Sequence, residues 1–391
     1  MSALGAARPG RTPRVVFPRR FHRPTWAEID LRALRSNLLQ LRRRIGPGVS
    51  ILFVVKGDGY GHGATRVSRA AVESGVVDRL GVSSVEEGLS LRDAGLRRPI
   101  LVLGSLYPFP STLAAVRSGL TVTVASLDGA RLVAEAARKA HAPARRFRPL
   151  RCHLKLDTGM GRIGVSWPSG LSVAELLAAT PAVELEGVYT HLASAEKDRE
   201  YTRLQLERFR AALRDLSHAG LRPALAHAAN SAGALLYPSS RFDLVRPGIS
   251  AYGLWPGYVP VLSLKTRVVF LKNVAAGTRI SYGGTFRARR PSRIATLPIG
   301  YADGLPRLLS NAGEVLLRGR RCPIVGTVTM DMIMVDATDA PEARVGDEAV
   351  LIGRQGALSI GAAEVAERSR TISYEVVTGL QARVPRVYID R

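Results

Sequence analysis

The sequence predicts an α/β protein: an N-terminal closed (β/α)8 barrel of the TIM type over residues 25–255, then a mainly β domain over residues 256–391. Three observations predict it. Between Thr25 and Leu254, short apolar β-branched segments alternate with amphipathic stretches of helical length, and eight such segments can be counted. A run of roughly 230 residues suits a barrel better than a doubly wound open sheet, which would show the same alternation. Near Leu254 the helical patterning fades, and strand-rich, turn-rich sequence takes over.

Residues 1–24 carry arginines at 8, 11, 14, 19, 20 and 23, several prolines and no acid, so a disordered basic leader is expected, with weak attachment to anionic surfaces as the alternative. Leu31–Arg44 reads as the first amphipathic helix. The barrel strands are then expected at Ile51–Val55, Arg79–Ser83, Pro99–Leu103, Thr121–Ala125, Cys152–Leu156, Leu185–Thr190, Ala224–Ala228 and Phe242–Val245. Helices fall between them. Ser84–Asp93 opens with Ser84 and Glu87 at capping-box spacing, and Leu127–Ala140 follows. In the second domain, strands are expected at Ser263–Asn273, Arg279–Tyr282, Arg293–Pro298, Glu314–Leu317, Pro323–Val335, Glu348–Ile352 and Arg386–Ile389, with one helix at Ile360–Glu367.

A chain of 391 residues with 46% hydrophobic content holds enough apolar material for two cores. No stretch approaches a transmembrane span or a signal-peptide core, so no membrane partner is expected and the default location is cytoplasmic. The net charge of +24 raises nucleic-acid binding. Yet the arginines are dispersed over amphipathic helices such as Leu31–Arg44 and Tyr201–Arg214 without a recognition motif, so no nucleic acid is expected. Cys152 and Cys322 form no CxxC unit, which argues against metal and redox chemistry; Cys152 reads as a core strand residue.

Active sites of such barrels gather at the carboxyl ends of the strands. Lys56 ends the first expected strand, within ILFVVKGDGYGHG at 51–63. Burial lowers an amine's pKa and makes it a nucleophile able to form a Schiff base with a carbonyl. A lysine snorkelling from a strand end into an ordinary glycine-rich turn is the plainer alternative. The glycines, Tyr60 and His62 let backbone approach a bound group such as a phosphate. Lys155, Asp157 and Arg162 follow strand five; His191 ends strand six; His227, Asn230 and Ser231 end strand seven; Arg246 ends strand eight. They converge on one rim without a metal-ligand pattern.

VVKGDGYGHG at 54–63, KLDTGMGRIGV at 155–165, THLAS at 190–194, HAANSAG at 227–233, VRPGISAYG at 245–253, SYGGTF at 281–286, IGYADG at 299–304, TMDMIMVD at 329–336 and ISYE at 372–375 together resemble the alanine racemases. The resemblance runs from about Thr25 through both domains. It implies pyridoxal 5'-phosphate as cofactor, an amino-acid substrate, a head-to-tail homodimer with shared sites, and D-alanine supply for peptidoglycan. It assigns the two bases to Lys56 and Tyr282, with His191 supporting the tyrosine and Arg246 facing the pyridine nitrogen. Because an arginine keeps its proton, the ring becomes a weaker electron sink, which favours reprotonation over transamination. Arg162 is expected at the cofactor phenolate and substrate carboxylate, with Tyr60, Asn230, Ser231, Gly248, Ile249 and Tyr374 holding the cofactor. Tyr301 and Met330 match residues supplied from the other subunit, and Asp331 supports their loop. Lys155 stands where many relatives carry a carbamate; the alternative is an ordinary protonated lysine.

Thr329 stands where several relatives have cysteine, and Gly57-Asp58-Gly59 replaces an Ala-Asn-Ala type of sequence, which leaves substrate breadth open. A broad small-amino-acid or serine racemase is one alternative. A non-catalytic homeostasis protein with the same cofactor would lack the β domain and Tyr282. A decarboxylase on a similar plan would carry an acid where this chain has Arg246.

Overall fold

The computed structural model describes residues 22–141 and 149–390. Of the expected leader, residues 1–21 therefore lie outside the described residues. Its expected end at residue 24 needs correcting: Arg23 is already anchored, donating Nη1 to Oδ2 of the buried Asp303 at 2.9 Å.

Eight parallel strands form the barrel: Ser50–Val54, Arg79–Val82, Ile100–Val102, Thr121–Val124, Leu150–Asp157, Val183–Tyr189, Leu225–His227 and Leu244–Val245. The first seven pair in chain order, and Leu244–Val245 returns to pair with Ser50–Ile51. The remaining seam, between the last two strands, is bridged by individual bonds. Asp243 N donates to Ala226 O at 3.1 Å, Ala226 N to Asp243 Oδ2 at 2.8 Å, and Arg246 N to Ala229 O at 2.9 Å. Asp243 is thus spent on the seam and does not pair with Arg246. Helices cover the outer faces, so the strands are buried on both sides and read as nearly continuous apolar runs.

The first helix, Leu31–Ile45, shows how locally this is encoded. Asp30 caps it, accepting from Ala33 N at 2.8 Å, and Gly46 ends it with φ at 87°, where a side chain would be strained. Leu31, Leu34, Leu38, Leu41 and Ile45 recur every three or four residues and are buried.

The barrel was expected to begin at Thr25, and here the structure corrects the reading. Thr25–Asp30 is a strand of the second domain, antiparallel to Leu262–Arg267 and parallel to Arg386–Ile389. Both its partners are distant in sequence, so no local pattern reveals the pairing. The same sheet continues through Glu348–Gln355 and Glu314–Leu317 to Arg320–Pro323. A second sheet of three strands joins Phe270–Val274, Ser292–Leu297 and Ile333–Asp336.

Four further expectations change in this domain. The expected strand Ser263–Asn273 is two strands in different sheets, because the chain turns at Val268 and Val269. Pro323–Val335 likewise divides around a loop, and Arg279–Tyr282 stops at Ile280, with Tyr282 opening a short 3-10 turn. The expected helix Ile360–Glu367 is observed at Ala362–Arg368, and a second helix, Ser373–Thr378, carries Tyr374. No helix among the described residues is long and apolar enough to cross a membrane.

Candidate active site

Lys56 follows the first barrel strand and begins a left-handed turn: φ is 62° at Gly57, 51° at Asp58, 63° at Gly59 and 53° at Tyr60. Each non-glycine residue in that conformation costs about 1–2 kcal/mol, so the two intervening glycines lower the cost of the turn. It is clamped from outside. Asp58 Oδ1 accepts from Ala64 N at 2.8 Å, and Glu87 Oε1 accepts from Gly57 N at 2.7 Å. A Cβ on Gly61 would lie 2.0 Å from Val377 O, so the turn packs directly on the second domain. Glu87 was expected to complete a capping box with Ser84. Ser84 does accept from Glu87 N, but the Glu87 carboxylate binds Gly57 and Ser83 instead.

The barrel mouth opens into a cavity of about 540 Å³, lined by Lys56, Tyr60, Lys155, Arg162, Tyr189, His191, Asn230, Ser231, Arg246, Gly248, Ile249 and Tyr374 among others. Its size suits a small cofactor with substrate. Eleven of the sequence-predicted site residues meet here: all of those just named except Tyr189. At one end backbone amides and hydroxyls form a small polar cradle. Ser231 Oγ accepts from Gly248 N at 3.1 Å and from Ser250 N at 3.3 Å. A Cβ on Gly248 would approach Tyr60 Oη to 2.6 Å, so only glycine leaves room there. Tyr60 is stacked on Tyr252 at 4.9 Å, and Tyr374 reaches it from the second domain, ring centres 6.0 Å apart. Asn230 acts behind the cradle, its Oδ1 accepting from Gly233 N at 2.8 Å.

The walls are cationic. Burial, then Arg162 and Arg246, lower the pKa of Lys56 against the opposing pull of Glu87. Burial, Arg162 and Arg246 likewise bring Lys155 down to about 8. Arg246, buried beneath the cavity, is brought to about 10 by burial and stays protonated at neutral pH. Its Nη2 donates to Thr190 O at 2.8 Å and Ala228 O at 2.9 Å, and its Nη1 to His227 Nδ1 at 2.7 Å. His191, held well below its ordinary pKa by burial and by Arg246, is a neutral imidazole 3.4 Å from Arg246. Arg162 rides on a loop that Asp157 organises by accepting from the backbone of Gly159, Met160 and Gly161.

Asp157 and His227 lie outside its lining, as do four predicted residues of the second domain, Tyr282, Tyr301, Met330 and Asp331. The Tyr282 side chain is exposed on the β domain, as are those of Tyr301 and Met330. Tyr301 and Met330 are joined through backbone: Tyr301 N donates to Thr329 O at 3.0 Å and Ala302 N to Met330 O at 3.1 Å. Asp331 Oδ1 accepts from Arg383 at 2.6 Å, and Arg383 also meets Asp303 at 2.9 Å, which ties that loop to the Tyr301 turn. Sequence reasoning missed Tyr189. It lies against the cavity with its ring parallel to His227 at 4.7 Å, and Lys155 Nζ sits 5.5 Å over it. The available signal was the inward phase of its strand.

A half-buried lysine with a buried arginine in the mouth of a barrel that a β domain follows is the plan of the barrel-type isomerases that depend on pyridoxal phosphate. The alanine racemase N-terminal domain family matches residues 29–256 and the C-terminal domain family residues 261–388. The chain belongs to the alanine racemase family. It is 51% identical over 376 residues to an alanine racemase of Symbiobacterium thermophilum, covering 94% of this chain and 97% of that protein. An alanine racemase of Halothermothrix orenii is 45% identical, covering 95% and 99%. Among solved structures, the Bacillus anthracis alanine racemase with bound L-Ala-P superposes with a TM-score of 0.87 at 40% identity, covering 95% of this chain and 96% of that one.

Proposed function

We propose that this chain interconverts L- and D-alanine with pyridoxal 5'-phosphate on Lys56, as a homodimer in which each site is completed by the other subunit. It would supply D-alanine for peptidoglycan from the cytoplasm. The observation that carries this is the presence in one cavity of a Lys56 amine below its ordinary pKa and a buried arginine, Arg246, where a stronger electron sink would need an acid.

The residues present fit the cofactor. Ser231, Tyr60, Tyr374 and the backbone at Gly248 and Ile249 would hold its phosphate, with Asn230 stiffening the segment behind them. When bound, the pyridoxal ring supplies an electron sink for the bond broken at Cα. Arg246, which keeps its own proton, would leave the ring nitrogen unprotonated and that sink weak. Arg162 pairs with the substrate carboxylate. Lys56, unprotonated at Nζ more often than a solvated lysine, takes or returns the proton on one side. Tyr282 does so on the other, and its exposed position outside the cavity suits a group handed to a neighbouring subunit. Tyr301 and Met330, exposed on the same domain, narrow the entrance to that neighbour's site, with Asp331 bracing their loop. His191 remains neutral and supports Tyr282.

Purified protein incubated with L-alanine in heavy water is expected to yield D-alanine carrying deuterium at Cα. Carbon dioxide release, or no turnover, would reject the reading. Parallel incubation with L-serine tests the broader specificity.

A further inference from the structure

Beneath Arg246, the barrel interior holds a single file of polar side chains with no part in the proposed reaction. Arg246 Nη1 lies 2.7 Å from His227 Nδ1, His227 Nε2 lies 2.8 Å from His153 Nδ1, and His153 Nε2 lies 3.1 Å from Glu186 Oε2. Arg79 closes the file with one nitrogen on each Glu186 oxygen, both at 2.9 Å. Arg79 begins its strand, so the file runs from the amino-terminal mouth of the barrel up to the cavity. Both histidines are wholly buried, and Glu186 and Arg246 nearly so.

The two ends fix every hydrogen between them. A guanidinium only donates, and a carboxylate only accepts. His227 must therefore present a bare Nδ1 to Arg246 and carry its hydrogen on Nε2. That hydrogen obliges His153 to present a bare Nδ1 and to donate from Nε2 to Glu186. Neither ring can take a second proton without setting donor against donor. Burial acts the same way, lowering the pKa of both imidazoles.

We propose that Glu186, held by Arg79, is a positioning residue for Arg246: acting through His153 and His227, it sets the imidazole tautomer that accepts the guanidinium. Its effect on turnover rests on the reading of Arg246 given above, whereas the tautomer assignment does not. Glu186→Gln is the informative change. Arg79 occupies both oxygens, so whichever way the amide is turned its NH2 faces an arginine nitrogen. Either Arg79 is released, or His153 and then His227 must reverse, leaving Nδ1–H against Arg246.

The test is nitrogen-15 NMR of histidine-labelled protein, with the two rings assigned by His153→Gln, together with steady-state kinetics. Wild-type protein is expected to show both rings neutral with hydrogen on Nε2. In Glu186→Gln either a ring changes tautomer or the Arg79 guanidinium loses its contacts, and by either route kcat should fall on the order of tenfold at unchanged KM. Hydrogen on Nδ1, or a doubly protonated ring, at either histidine of the wild type overturns the proposal, and that spectrum decides the matter even if the variant does not fold. Unchanged kcat in a folded Glu186→Gln protein overturns the positioning role. If the wild type fails to racemise alanine, the functional reading falls and the tautomers still stand or fall alone.

Discussion

Mixing two inactive variants gives the sharpest test of the shared site. Lys56→Ala removes the amine from the cavity, and Tyr282→Phe removes the phenol hydroxyl from a side chain that is 75% exposed and outside that cavity. In a twofold dimer, each site would combine Lys56 of one subunit with Tyr282 of the other. Equal amounts of the two variants, allowed to exchange, form mixed dimers as half the population. Each mixed dimer holds one site with both bases and one with neither. About a quarter of all sites are then intact, and activity should recover to about a quarter of wild type. The assay is racemase activity against time after mixing, with mixed dimers counted by native mass spectrometry of differently tagged chains. If every site used its own chain's pair, no mixture would regain activity. Proven exchange without recovery would therefore refute the reasoning.

Three other outcomes are expected. With Lys155 at about 8, about half its amines are neutral at pH 8, against roughly three in a thousand for an ordinary lysine, so carbon dioxide should add there and the adduct should fade as pH falls below 8; a carbon-13 carbamate signal absent from wild type at pH 8, or retained in Lys155→Ala, would count against it. Gly248→Ala sets a methyl 2.6 Å from Tyr60 Oη and should weaken pyridoxal phosphate binding tenfold or more, read by titrating the cofactor's absorbance, while the melting temperature without cofactor changes little. Asp303→Asn weakens contacts to Arg23 and Arg383 and should cost about 2 kcal/mol in urea unfolding, less than for a fully buried pair because both arginines are partly in solvent; an unchanged midpoint would contradict it.

The barrel was legible in the sequence because its strands are buried on both faces, so each appears as an apolar run between turns, displaced by at most two residues at either end. Lys56, His191 and Arg246 stood out for the same reason, as polar groups closing apolar runs. The second domain was harder. Val268 and Val269 are apolar, so continuous hydrophobicity from Ser263 to Asn273 concealed a change of sheet. Thr25–Asp30 finds its partners more than two hundred residues away, beyond any window of local pattern. Glu87 sits at the spacing of a reciprocal cap, but the spacing does not say which amide its carboxylate will prefer. His153 and Glu186 become meaningful only once two strands are laid side by side, because each faces the barrel axis from a different segment.

The strand Thr25–Asp30 sits between Leu262–Arg267 and Arg386–Ile389, and this has a consequence for biogenesis. During synthesis it leaves the ribosome before the barrel, whereas both its neighbours leave after it, Arg386–Ile389 well behind Leu262–Arg267. This strand must wait, unpaired, while some two hundred residues fold beside it. Maturation thus needs a clasp fastened from Thr25–Asp30 across the whole barrel to Arg386–Ile389, and such long-range closure is intrinsically slow.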